Sequence, residues 1–241
     1  MGLGPLWRLR QPAAMPEVQT LEPSMPPSVH EPEPAVLAAA EPPAPRSSGC
    51  AALGWDELEA TIRACTACPL CAARKQAVPG VGDRQADWLL VGEGPGAEED
   101  EKGEPFVGQA GKLLDAMLAA IDLKRGSDVY IANAVKCRPP NNRTPEPEET
   151  AACWPYLQRQ IELLQPRLIV ALGRPAAQSL LNSEVKIGAA RGQLFAYQGI
   201  PVIVTYHPAY LLRNLPDKAK AWEDLLFARR TMAGLKAAGQ Q

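Results

Sequence analysis

From residue 51 onward the sequence predicts an α/β fold, with a mostly parallel sheet covered by helices on both faces. Two patterns predict it. Short apolar runs recur along the chain as continuous blocks, the pattern of strands buried on both faces. Between them lie segments whose apolar residues repeat at helical spacing.

The first run is DWLLVGEG from Asp87, closed by glycines; the second is VYIANAV at 129–135; the third is RLIVALG at 167–173; the fourth is IPVIVTYHP at 200–208. Between the first two, Leu113, Leu114, Met117, Leu118 and Ile121 fall on one helical face. A second helix is expected over 146–164, a third in RPAAQSLL and a fourth over 217–235. In such folds ligands bind beyond the carboxyl ends of the strands. Here those ends carry GEGPG, the segment 133–137, GRP and HPAY.

Residues 1–50 differ in kind. They hold 11 of the 25 prolines with few large apolar residues, so they cannot bury a core. This stretch is expected to be a disordered tail, with 51–241 as the folded domain. The leading MGLGPLWRLR is either a solvated end or a short peptide for a protein partner. It lacks a continuous apolar stretch and is broken by Pro5 and Pro12, unlike a secretory signal, so a cytoplasmic setting with reduced thiols is expected. No stretch approaches the roughly 20 apolar residues of a membrane span.

Removing the 3 basic and 5 acidic residues of the tail from totals of 25 and 27 leaves 22 of each sign in the domain. Bulk charge therefore announces no nucleic acid partner, though a local basic patch suffices to contact a few phosphates.

Cys65 and Cys68 form a C-x2-C pair, and Cys137 and Cys153 follow at long range. Cysteines often only pack, and Cys50 and Cys71 are read that way. In a reduced compartment the other four point to a metal site. Four thiolates suit zinc and an iron-sulfur cluster alike, and the spacing decides between neither.

The strand ends supply further candidates. Gly92-x-Gly94-x-x-Ala97 weakly matches a dinucleotide fingerprint, but four acidic residues at 98–101 would face a pyrophosphate with like charge. Gly111-Lys112 lacks the first glycine of a phosphate-binding loop. His207, the domain's single histidine, closes a strand ahead of Pro208. Asn133 is an amide among Ile131, Ala132, Ala134 and Val135, an improbable core choice unless its two-sided hydrogen bonding is used, as in reading a pyrimidine edge. Phe106 is either core or a stacking platform.

In order along the chain, CTACPLC, GEGPGAEEDEKGEPFVGQAG, YIANAVKCRPPNNRTP and HPAYLLRN, with 15 residues between Cys137 and Cys153, resemble the family 4 uracil-DNA glycosylases over about residues 55–232. The resemblance implies a three-layer α/β/α sandwich and hydrolysis of the N-glycosidic bond of uracil in DNA. It also implies a [4Fe-4S] cluster held by Cys65, Cys68, Cys137 and Cys153, structural in role. By the same resemblance Phe106 stacks on the flipped base, Asn133 reads its edge and the Gly94 N–H holds a carbonyl. His207 faces the departing base, Glu93 orients water, and Tyr210, Leu211, Leu212 and Arg213 form the loop that enters the duplex. Leu215 departs from the family pattern, which reads RNP where this chain has RNLP. The implied partner is uracil-containing DNA, met by a monomer.

Two rivals remain at this stage: a metal-stapled DNA-binding or polymerase-associated module without activity, and a glycosylase for other deaminated bases. A sister group that traps uracil on a histidine is disfavoured, since 137–165 contains none.

Overall fold

The computed structural model describes residues 36–38 and 49–239. Seven strands form one sheet in the order β1-β6-β7-β5-β3-β4-β2, with the two-residue β2 (Val81–Gly82) antiparallel to β4 at one edge. Its centre is four parallel strands: β7 (Ile200–Thr205), β5 (Leu168–Leu172), β3 (Trp88–Gly92) and β4 (Val129–Asn133). The four apolar runs of the sequence supply these four strands. β3, β4 and β5 are buried at every residue, which is why their sequences run apolar without alternating.

The pleat divides those side chains between two cores. Leu89, Val91, Tyr130, Ala132, Ile169, Ala171, Val202 and Val204 face one side, against α4 (Pro147–Leu164) and α5 (Arg174–Leu181). Trp88, Leu90, Val129, Ile131, Leu168, Val170 and Ile203 face the other, against α3 (Gln109–Ala119) and α8 (Asp217–Ala238). The result is the expected three-layer α/β/α sandwich. Each fully buried Leu, Ile or Val contributes about 1.5–3 kcal/mol.

Several elements were not anticipated, among them the following three. The helix α1 (Trp55–Ala64) packs Leu58 and Ile62 beneath α4 in a separate small core that also holds Cys50, Cys137 and Cys153. The strand β6 (Leu194–Tyr197) returns antiparallel to β7 through Gln198 and Gly199, both with positive φ (48° and 82°). That is the twist a two-residue hairpin requires, although Gln is an unusual residue for it. The strand β1 (Val36–Ala38) pairs in parallel with β6 and is a short ordered piece within the stretch expected to be a tail. A three-residue strand borrows its order from the edge it joins and leaves no sign in composition. The remainder of the expected tail before residue 49 lies outside the described residues. Among the described residues no helix is long and apolar enough to cross a membrane.

Candidate active site

The carboxyl ends of β3, β4 and β7 open on a cavity of about 440 Å³, within the range of small-molecule sites. Glu93, Gly94, Phe106, Asn133, His207, Tyr210 and Arg213, all named from the sequence, line it. Leu211 and Leu212 do not.

Asn133 ends β4, which fixes its backbone and aims its side chain into the cavity. It is 2% exposed, and its Oδ1 is buried without a hydrogen-bond partner. An unmade hydrogen bond of this kind costs about 1–3 kcal/mol, so a buried amide left so is a group kept for a ligand. Gly92, at the end of β3, lies against it: a Cβ there would collide with Asn133 Oδ1 and the Phe106 ring. A side chain at 92 would fill the floor of the pocket.

Phe106 sits in the left-handed region at φ 55°, which costs a bulky residue of order 1–3 kcal/mol. Two anchors hold it there. Arg125 donates from Nη1 to the Pro105 carbonyl and from Nη2 to the Phe106 carbonyl, both at 2.8 Å. Glu99 accepts from the backbone N–H groups of Gly96, Val107 and Gly108 at 3.0–3.2 Å. Asp100, buried, accepts from the N–H of Lys75 at 2.9 Å. The acidic run that argued against a nucleotide therefore serves as loop scaffolding. Neither Glu99 nor Arg125 was singled out from the sequence, and an acidic helix start was the one available hint.

The Phe106 ring lies 5.4 Å from the His207 ring, tilted by 31°. His207 caps the short helix α7 (Pro208–Leu211), its Nδ1 accepting the Ala209 N–H at 3.1 Å. The proton of the neutral ring is thereby assigned to Nε2. Burial, with Arg213 nearby, pulls its pKa from 6.5 down to about 4, so the ring is a neutral donor at physiological pH. Gly173 (φ 90°) lets β5 pass close by: a Cβ there would stand 2.9 Å from the His207 Cβ.

Glu93 follows β3 directly. Burial raises its pKa, opposed by a hydrogen bond with the Thr144 side chain and by the Arg174 guanidinium. Thr144 belongs to a loop clamped by Arg143, which donates twice to Glu149 (2.6 and 2.8 Å). Arg143 in turn holds the Glu149 carboxyl below the usual carboxylate range. Thr144, Arg143 and Glu149 were not identified from the sequence.

The four residues assigned to a duplex-entering loop separate. Leu211 is 1% exposed and belongs to the core. Tyr210 stacks on Tyr206 (5.2 Å, 10°) and donates its hydroxyl to Asp217 at 2.7 Å. Leu212 is 40% and Leu215 60% exposed, and Arg213 is exposed between them.

The four distant cysteines meet. Cys137 and Cys153 are buried in the small core beside α1, with Cys65 and Cys68 packed against it. Cys50 joins that core as packing, while Cys71 is half-buried beside Cys68. Arg74 Nη1 donates to Cys137 Sγ at 2.8 Å, the Lys136 N–H to Cys153 Sγ at 3.2 Å, and the Ala67 N–H to Cys65 Sγ at 3.4 Å. Without a metal, burial raises the thiol pKa of Cys68 and Cys137 and pushes that of Cys153 up to about 12. Such thiols ionise when a metal displaces their protons. Among the described residues no three potential ligands are grouped around the position of one metal ion. A cubane asks for a wider arrangement, one thiolate at each iron corner, and four cysteines, three of them met by N–H donors, suit it.

Taken as a fold and a pocket, the chain is an α/β protein with a cavity at its strand ends lined by a buried amide. The family model described as the uracil DNA glycosylase superfamily matches residues 79–226. A type-4 uracil-DNA glycosylase of Pyrobaculum aerophilum is 46% identical over 179 residues, covering 70% of this chain and 90% of the relative. Type-4 uracil-DNA glycosylases of Archaeoglobus fulgidus and Thermotoga maritima are 47% and 50% identical, covering 65% and 66% of this chain and 82% and 83% of theirs. The chain belongs to the uracil DNA glycosylase superfamily, in the type-4 family.

Proposed function

We infer that this chain is a monofunctional uracil-DNA glycosylase that hydrolyses the N-glycosidic bond of uracil in DNA and leaves an abasic site for base excision repair. The observation that carries this reading is the unpartnered, buried Oδ1 of Asn133, a residue that lines one cavity together with Phe106 and His207.

The buried target base must first leave the stack, which costs a few kcal/mol. Its ring then lies on Phe106. Asn133 Oδ1 accepts from uracil N3–H while its amide nitrogen donates to O4, and the Gly94 N–H supports a carbonyl. Cytosine offers no N3–H and presents an amine at C4, so it leaves the amide mispaired. Exposed Leu212 fills the vacated stack, with Arg213 and Leu215 at the edge of the loop. The bond from N1 to C1′ breaks with its electron pair going to the base, whose anion spreads onto O2. His207 Nε2–H donates to that oxygen as the charge develops, without first becoming an imidazolium. Glu93 orients a water molecule onto the cationic C1′ and stabilises it. The water proton passes through Glu93 to solvent, and the uracil anion takes up a proton on release.

Cys65, Cys68, Cys137 and Cys153 would hold a [4Fe-4S] cluster. That group would supply a structural staple, joining the 65–68 loop to the segment after β4 and to α4. Reduced thiols of this kind fit a cytoplasmic enzyme.

The test is an oligonucleotide carrying one uracil, treated with the brown protein and then alkali. Scission confined to the uracil position supports the reading. Intact strands with a full complement of iron and sulfide overturn it.

A further inference from the structure

Lys136 is 1% exposed, and none of the ion pairs among the described residues includes it. A buried ammonium without a countercharge is among the costliest groups a core can hold. Its Nζ donates to the Asn133 carbonyl at 2.8 Å and to Gln160 Oε1 at 2.6 Å. Gln160, 0% exposed, spends its own Nε2 on the Pro79 carbonyl at 2.8 Å. All of these acceptors are neutral. The nearby anionic groups, once a cluster is bound, are the thiolates of Cys137, the next residue, and of Cys153, which already receives the Lys136 N–H.

We propose that Lys136 is a positioning residue that ties the cysteine cluster to the base-reading amide, its backbone N–H held on Cys153 Sγ and its ammonium on the backbone carbonyl of Asn133. Lys136 gives the cluster a buried countercharge, with Arg74 at Cys137 as a second. Through the Asn133 carbonyl it also fixes the last residue of β4, whose side chain has no hydrogen bond at Oδ1 to hold it. A cluster that only stapled loops would need no such lysine, and an apolar residue of the same length would be cheaper at this depth.

The inference rests on the uracil reading, so the wild-type protein is the first arm of the test. Free uracil is titrated against brown wild-type protein, Lys136→Met and Gln160→Leu, each at measured iron content, and the rate at which ferricyanide bleaches the cluster is followed. Absence of uracil binding and excision in the wild type would sink the functional reading itself. With the wild type binding, Lys136→Met loaded with cluster is expected to bind uracil at least tenfold more weakly. It is also expected to bleach several-fold faster, since loss of a nearby positive charge favours the oxidised cluster. Wild-type affinity and bleaching in the loaded variant overturn the proposal. Gln160→Leu leaves Lys136 a single neutral acceptor and is expected to weaken uracil binding several-fold while bleaching at the wild-type rate. This second variant decides the matter if Lys136→Met fails to assemble, and wild-type affinity in it would then count against the link.

Discussion

The neutral state of His207 makes the sharpest claim about the chemistry, and pH tests it. Burial and Arg213 lower its pKa to about 4 in the folded protein, against an ordinary value of 6.5. At pH 5 the ring is then roughly nine-tenths neutral, so its Nε2–H remains available across the physiological range. Single-turnover excision should therefore show no break near pH 6.5 on its acid side. Stability responds to the same group. Because the folded pKa is the lower one, the unfolded chain binds the extra proton. The contribution of neutral His207 is complete above about pH 6.5 and is lost progressively as the pH falls toward about 4, up to about 3 kcal/mol. Urea unfolding at pH 7 and pH 5 measures the loss, and His207→Ala should lessen it. The same substitution removes one donor from the developing anion, worth about 10²–10³ in rate. It also frees the Ala209 N–H, at a cost of about 1 kcal/mol in stability. An excision profile with an apparent pKa near 6.5 and a faster protonated limb would refute this reasoning, because imidazolium would then be the working form.

Four other substitutions test the site. Asn133→Leu removes an amide whose Oδ1 has no partner in the protein, so uracil affinity should fall at least about a hundredfold while the thermal midpoint holds or rises; a fall of more than about 4 °C would mean that the amide is structural. Glu99→Gln weakens three backbone contacts around the Phe106 loop and should cost about 1–3 kcal/mol, read by chemical denaturation, together with a slower excision step; unchanged stability would remove Glu99 from the scaffold. Cys137→Ala or Cys153→Ala should give colourless, poorly soluble protein, and a brown, stable variant with full iron content would reassign the ligands.

Much of the architecture was legible because the strands that matter are buried on both faces. WLLVG, VYIAN and LIVAL admit few other readings, and their glycine and amide endings marked the edge where a site would lie. β6 and β1 were not legible. A four-residue strand with a mixed burial pattern and a three-residue edge strand both take their conformation from the strand beside them. For the site, residues with unusual chemistry for their position stood out, such as Asn133 in an apolar run and a lone His207 ahead of proline. Glu99, Arg125, Thr144 and Lys136 did not, since a charged or hydroxyl-bearing residue reads as solvated surface until its partner is known. The apolar loop after His207 misled in another way: YLLRN reads as one exposed wedge, yet the single turn of α7 sends Leu211 inward and Leu212 outward.

The sequence by itself determined the four central strands, the larger helices between them and the short list of chemically unusual residues, since these depend on local pattern and composition. Only the tertiary structure decided which charges are buried, which tautomer His207 adopts and which amide oxygen lacks a partner. It also brought together Cys65, Cys68, Cys137 and Cys153, which lie as far as 88 residues apart in number. Those properties belong to groups distant along the chain, and the energies involved, desolvation and hydrogen bonding at about 3 Å, exist only once folding has made those groups neighbours.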